Sequence, residues 1–530
     1  MAAEFVPVRR SLTELLGPDY IRSVCDASAF LAGADRDELA ALAREPVDFY
    51  PRSMQEHLAS QLDRVGTQVI DSPLSETAEG ATSAAFRAAT RTAAAPLSAR
   101  GYYRVGEDGR LYLTTKSEHY HASVGHGFPG YRLLETARKL GLPNATHNNT
   151  RGQITRLLEE ELVRTANGIE RGNRDGLAAV LSSGDDLRVL NRVLNLETGS
   201  LAAEAALKMI LARFYRAEPE MPEPPYAGRM PVVLVLANDD GGLRANYHGT
   251  TVLTQTMRGM WPGLHETLER TGAWKVVPIR PNRTEDLDRA FAEFERGRTR
   301  IAGFFHEIIM MNYGGRRLTP EFLTHAYTLC ERHDVPTVAD EIQSCMWSPR
   351  LYLSCEYGLR PTFLAIGKGF PGGEYPASRL LFSAALDSMP QFGALVTNGQ
   401  EELASLAYLV TMAWAEANAD VTAKLGAHYH ERLSALAARH PREIEGIDGW
   451  NHMSTIRFTG LEAARSFIAA LRARGLDISA QTYKPDCPPV VLTKLPLIAD
   501  RRVIDWVVAR MEETMCSLGR GGPEKEAMGR

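Results

Sequence analysis

The stretch VADEIQSCMWSPRLYLSCEYGLRPTFLAIGKGFPGGEYPASRLLF, residues 338–382, decides the fold. It contains the ends of two short apolar runs, VPTVA (335–339) and TFLAI (362–366), each closed by polar residues. The first stops at Asp340 and Glu341, the second at Gly367, Lys368 and Gly369. Apolar runs this short, bounded by turn-forming residues, predict strands buried on both faces. Ligands of open α/β sheets bind beyond the carboxyl ends of the strands. Asp340 and Lys368, 28 positions apart, are therefore where chemistry is expected.

The same rhythm extends outward. Between about 155 and 385, runs such as LAAVLSS, MPVVLVLAN, WKVVPIR and IAGFFHEIIM alternate with amphipathic stretches such as TEDLDRAFAEFERG and PEFLTHAYTLCERHD. Alternation of this kind predicts a doubly wound, mainly parallel sheet. Beyond 400 it gives way to long helices, the strand candidates STIRFTG and PPVVLTKL, and a closing helix, which predicts a smaller α+β C-terminal domain. The expected organisation is a helical N-terminal extension over 1–95, a segment over 96–155 that packs with the small domain, a large domain over 156–400, the small domain over 401–520 and a frayed tail over 521–530. Within 102–115, two alternating runs around Glu107-Asp108-Gly109 predict a hairpin.

Composition narrows the function. The chain has 530 residues, 44% hydrophobic and 24% charged, an ordinary enzyme-like balance that exceeds a single core. A net charge of −5 with interspersed signs offers no basic stripe, so nucleic acid is not an expected partner. No apolar run is long enough to span a bilayer and no leader is legible, so no membrane partner and a cytoplasmic location are expected. The six cysteines show no Cys-x-x-Cys spacing, so neither a metal site nor a disulfide framework is indicated.

Most lysines are solvated surface charges, but Lys368 stands between Gly367 and Gly369 with Gly372 and Gly373 close behind, so backbone can approach a flat ligand there. An amine at a buried strand end loses water from its charged form, and the neutral amine that condenses with an aldehyde is favoured. A carboxylate on the neighbouring strand end can hold a pyridine nitrogen protonated, turning the ring into an electron sink.

At these residues the sequence resembles the class III aminotransferases, fold-type I enzymes that use pyridoxal 5'-phosphate. VADEIQS is similar to the family's acidic strand end and IGKGFPGGEYPAS to its lysine loop, and the likeness extends over roughly 100–518. By resemblance, Lys368 is the Schiff-base lysine, Asp340 the partner of the pyridine nitrogen and Gln343 a contact of the ring hydroxyl. NLETGSLAAEAALKMILA resembles the family's phosphate turn, where Gly199 and Ser200 would open a helix toward the anion. NYHGTTV is similar to the aromatic-His-Gly turn, which places Tyr247 over the ring with His248 beside it. LVTNGQEELASLA resembles the segment whose threonine, here Thr397, reaches the phosphate of a partner subunit; the resemblance therefore implies a homodimer with shared active sites. Tyr120 and His121 either line the substrate pocket or belong to a structural hairpin.

The departures concern the substrate side. Glu307 keeps the family's place in FFHEIIMMNYGG, but Ile308 follows it where proline is usual, and Asn312 stands where ω-amino-acid enzymes have glutamate. The carboxylate-binding arginine expected near KPDCPPVVLTKLPL is missing, with Lys494 as the nearby cation. The implied function is a Lys368 ping-pong aminotransferase moving an amino group between a small primary amine or amino acid and a carbonyl acceptor. An aminomutase, racemase, decarboxylase or lyase on the same fold is the first alternative, and a catalytically silent scaffold protein the second.

Overall fold

The computed structural model describes residues 5–84, 87, 92–116, 121–147, 149–480 and 488–519. Two units emerge, one built from Val6–Phe49 and Pro129–Thr422, the other from Phe5, Tyr50–Phe128 and the chain from Ala423 onward.

The larger unit is organised by a seven-stranded sheet: β1 (Arg192–Leu196), β2 (Met230–Leu236), β3 (Lys275–Ile279), β4 (Thr299–His306), β5 (Thr337–Asp340), β6 (Phe363–Ile366) and β7 (Ser378–Phe382). Their spatial order is β1-β7-β6-β5-β4-β2-β3. Strands β2 to β6 pair in parallel, whereas β7 is antiparallel to both β6 and β1. The carboxyl ends of β4, β5 and β6 thus lie side by side. Their apolar character reflects cover on both faces: Val233, Val235, Phe305, Val338, Phe363 and Ala365 join one core cluster, and the intervening Val232, Leu234, Phe304, Ala339 and Leu364 are buried as well. Removing each of the larger side chains from water contributes about 1.5–3 kcal/mol.

Helix α1 (Gly199–Leu211) follows β1 and lies on that core, presenting Ala202, Ala205 and Ala206, small enough for close approach to the sheet, together with Leu207 and Ile210. LAAVLSS, expected among the strands, belongs instead to a helix, Arg174–Ser182. A short apolar run does not by itself separate strand from helix. The cap decides here, because Asn173 accepts a hydrogen bond from the Gly176 amide at 2.9 Å and starts the helix. The N-terminal part of this unit contains the helices Leu12–Leu16, Pro18–Ala32 and Arg36–Arg44, the first opened by a capping box of Ser11 and Glu14.

The smaller unit contains two four-stranded sheets. One includes the antiparallel pair Tyr103–Gly106 and Leu111–Thr114, the expected hairpin, with Gly109 at φ +76° in its turn. The other includes Thr455–Phe458 and Val490–Leu492. Lys494, just beyond the latter strand, is fully buried and donates its backbone N–H to the Thr115 carbonyl at 2.6 Å. No helix among the described residues is long and apolar enough to cross a membrane.

Candidate active site

Strand alternation sends the adjacent acids at the end of β5 to opposite faces. Asp340 is buried, and its Oδ2 accepts a hydrogen bond from His248 Nδ1 at 2.8 Å while its Oδ1 accepts from the Ile342 amide at 3.2 Å. Glu341, fully buried, accepts from the Leu353 and Ser354 amides at 2.6 and 2.7 Å, so it anchors the 353–354 backbone. Burial pushes the Glu341 carboxyl above its ordinary range, with those bonds pulling it back.

Lys368 lies two residues beyond β6, next to Asp340 in the row of strand ends. Its φ is +37°, left-handed and costly for a side-chain-bearing residue, of order 1–3 kcal/mol. Its neighbours explain why the loop tolerates this. A Cβ on Gly367 would stand 2.3 Å from Ser378 Oγ, and one on Gly369 would stand 2.7 Å from the Trp347 ring, so the backbone passes through a slot that only glycine fits.

Burial lowers the proton affinity of Lys368 below that of an ordinary lysine; the carboxylates of Glu307 and then Asp340 oppose the shift. Glu307 is the residue immediately after β4, and its Oε2 accepts from the Met311 amide at 3.2 Å. The three carboxyl ends therefore bring an amine with weakened proton affinity to two buried carboxylates. Asn312, half-buried, belongs to the turn following Glu307, and Gln343 is buried in the turn following Asp340.

The small-residue turn after β1 is capped by Thr198, whose hydroxyl accepts from the Leu201 amide. Its Gly199 presses on the segment after β5, since a Cβ there would stand 2.7 Å from Ile342. Ser200 Oγ accepts from the Thr250 amide at 3.1 Å, and Gly249, at φ +128°, is so close that a Cβ would stand 2.6 Å from Ser200 Cα. The Gly199-Ser200 turn and the Tyr247-His248-Gly249 turn are thus one packed assembly, tied to Asp340 through His248. Tyr247 is half-buried with the Arg258 guanidinium 5.1 Å from its ring centroid, a cation–π contact with no sequence signal.

Thr397 is exposed on the turn 397–400, which contacts the end of β1 and whose Gln400 carbonyl accepts from the Thr146 hydroxyl at 3.0 Å. His121 is exposed in the smaller unit, and Tyr120 lies outside the described residues. Sequence reading missed two buried groups. His306, the last residue of β4, is held neutral by burial, its pKa lowered to about 3, and its Nε2 meets the Tyr327 hydroxyl at 2.9 Å. Glu341 was legible only as half of an acidic pair.

The glycine slot, the weakened proton affinity of Lys368 and the carboxylate pinned by His248 fit a flat cofactor that carries an aldehyde, a basic ring nitrogen and an anionic arm. Comparison with known proteins agrees. The class III aminotransferase family profile matches residues 86–515. The acetylornithine/succinyldiaminopimelate aminotransferase of Yersinia pestis is 31% identical over 221 residues, 38% of this chain and half the length of that relative. The ornithine aminotransferase of Bordetella pertussis is 25% identical over 401 residues, 74% of this chain and 89% of that one. Among solved structures, the ornithine aminotransferase of Toxoplasma gondii superposes with a TM-score of 0.63 at 19% identity, covering 80% of this chain and 90% of its own. A PMP-bound aminotransferase from Vibrio fluvialis gives 0.62 at 17% identity, covering 80% of this chain and 92% of its own.

Proposed function

The chain belongs to the class III aminotransferases, enzymes that use pyridoxal 5'-phosphate with small-molecule amines and carbonyl compounds, and on that premise we propose that Lys368 binds the cofactor covalently and moves the proton in an amino-group transfer. When bound, the cofactor supplies an aldehyde for primary amines and a ring that accepts the electrons of a substrate C–H bond.

Lys368 Nζ would be the base that takes the proton from the substrate carbon and the acid that delivers it to the carbon of the cofactor's aldehyde group. Its lowered proton affinity supports both duties, because burial favours the neutral amine over the charged one. Asp340 holds the proton on the ring nitrogen. His248 donates to Asp340 Oδ2 and so fixes which oxygen remains for that duty. The Gly199 and Ser200 amides, at the start of α1, receive the phosphate with the favourable end of the helix dipole. Gln343 would face the ring hydroxyl, Tyr247 would cover the ring, and Glu307 and Asn312 would border the substrate.

The assembly we infer is a homodimer in the cytoplasm, with Thr397 of each chain reaching the phosphate held by the other. The missing arginine clamp and Asn312 favour a substrate recognised through its amine rather than through an α-carboxylate.

One observation carries this reading: an amine weakened by burial, flanked by two carboxylates on consecutive strand ends. Borohydride added to the cofactor-loaded protein should abolish the visible absorbance and leave an adduct on the peptide containing Lys368. Amine supplied without a carbonyl acceptor should then convert one equivalent of cofactor to its aminated form and stop. Continued turnover without acceptor would select the mutase, racemase or lyase alternative, and absence of the adduct would select the silent scaffold.

A further inference from the structure

Strand β1 ends with Asn195 and Leu196, and the chain passes through Glu197 and Thr198 into the Gly199-Ser200 turn. The turn 397–400 is laid against the same strand end at three points. Asn195 Nδ2 donates to Gln400 Oε1 at 3.2 Å, and the Asn398 amide donates to Glu197 Oε1 at 3.3 Å. At Gly399 the two backbones touch, since a Cβ would stand 2.3 Å from the Asn195 carbonyl oxygen.

Asn195 is clamped from a second direction. Its Nδ2 also donates to Glu159 Oε1 at 2.7 Å, and the other Glu159 oxygen pairs with Arg151 at 3.4 Å. Across the ladder its register partner is Arg379 of β7, fully buried, with the guanidinium 5.1 Å from the Tyr408 ring centroid and hydrogen bonds to the Leu196 carbonyl and Ser405 Oγ, both at 3.3 Å. Asn195 Oδ1 and Arg379 Nε meet no partner among the described residues, so Asn195 is held by its amide nitrogen.

A buried strand position is ordinarily filled by an apolar residue, and an asparagine there costs free energy unless it is hydrogen-bonded. A purely structural asparagine would bond within its own sheet or to the covering helix. This one also grips Gln400, at the end of the turn that carries Thr397.

We infer that Asn195 is a positioning residue for cofactor phosphate: it fixes the turn 397–400 to the strand that delivers Gly199 and Ser200, so one strand end sets the contacts to two phosphates, its own chain's through Gly199 and Ser200 and the other chain's through Thr397. The inference rests on the proposed roles of Gly199, Ser200 and Thr397.

The test compares pyridoxal 5'-phosphate with pyridoxal, which has the aldehyde and ring but no phosphate, in absorbance titrations of the full-length apo-protein. The native chain should prefer the phosphorylated form. Asn195→Leu and Gln400→Leu should each weaken that form by roughly three- to tenfold, the effect of one hydrogen bond, and leave pyridoxal unchanged. Glu159→Gln, whose amide oxygen still accepts from Asn195, should keep the preference, and Glu159→Leu should lose part of it. Unchanged affinity for the phosphorylated form in both leucine variants, or equal weakening of the two ligands, overturns the inference. Should Asn195→Leu not fold, Gln400→Leu decides alone. A native chain that binds both ligands equally refutes the phosphate reading itself, and the borohydride adduct on Lys368 tells that failure from loss of the whole proposed function.

Discussion

The two edges of the large sheet carry similar residue types and use them in opposite ways. At the amino ends of β5 and β6, Asp186, Arg188, Glu331 and Arg360 line a cavity of about 710 Å³. These charges pair with one another in water: Arg188 with Asp186 at 3.1 Å and with Glu331, and Arg360 with Asp186 at 3.6 Å. At the carboxyl ends the carboxylates of Glu307, Asp340 and Glu341 are buried, and Lys368 is pushed away from its charged form by desolvation. The Asp186 carboxylate holds Arg188 more firmly charged, the opposite direction. Reactive character thus arises where burial opposes charge, and cavity size does not locate it.

The comparison breaks most sharply at Lys368. Lys368→Ala should lower turnover by at least about 10⁴-fold, because nucleophile and proton carrier vanish together, and borohydride should leave no adduct. Retention of turnover would remove the distinction between the two edges. Asp340→Asn, which cannot hold a protonated ring nitrogen as a carboxylate does, should cost about 10²–10⁴-fold in kcat with cofactor still bound. His248→Phe removes the single hydrogen bond on Asp340 Oδ2 and should cost about 10- to 100-fold, the scale of a bond to a charged group. A pH profile displaced in that variant would separate positioning from simple loss of folding.

Glu307→Gln tests the electrostatics rather than the bond-making. Glu307 is the largest of the charges that pull the Lys368 proton affinity back up. Without it the affinity should fall further, so the pH midpoint for cofactor capture by the apo-protein should move to lower pH. The stability linkage has the same origin. Between the lowered folded pKa of Lys368 and its unfolded value the unfolded chain binds more protons, so apo-protein stability should rise with pH across that window. In Glu307→Gln the window should begin at lower pH. A midpoint that moves upward, or stays fixed, would show that Glu307 does not act on Lys368.

How much of this was legible in the sequence follows from the range of the signals. The ends of β5 and β6 were legible because buried parallel strands are short apolar runs, and Lys368 stood out because glycines mark a slot beside it. Alternation alone separates the faces of Asp340 and Glu341. Their partners do not follow from it: His248 is 92 positions from Asp340, and the 353–354 amides fold back through a turn that carries Met346 and Leu351 at positive φ. LAAVLSS was misread because its helix is decided by Asn173, four residues before the apolar run begins. Asn195 carried no signal, since an asparagine in an apolar strand reads as a lapse in the pattern until Gln400 and Glu159 are brought to it.

The smallest expected effect bears most directly on what the two edges teach. Arg188 is the hub of the amino-edge pairs, with side-chain exposure of 42% against 34% for Asp186 and 61% for Glu331. Charges so well hydrated gain little from contact, since attraction in water is weak and ordering long side chains opposes it. Arg188→Ala should therefore change unfolding free energy by no more than about 1 kcal/mol and leave kcat within twofold. The same loss of a charge at Glu307 should displace the pH profile, although one charge is removed in each case. If the amino-edge variant moved the pH profile of cofactor capture as far as Glu307→Gln does, the field at Lys368 would be set by the sheet as a whole. An effect confined to Glu307 would mean that the three adjacent strand ends set it alone.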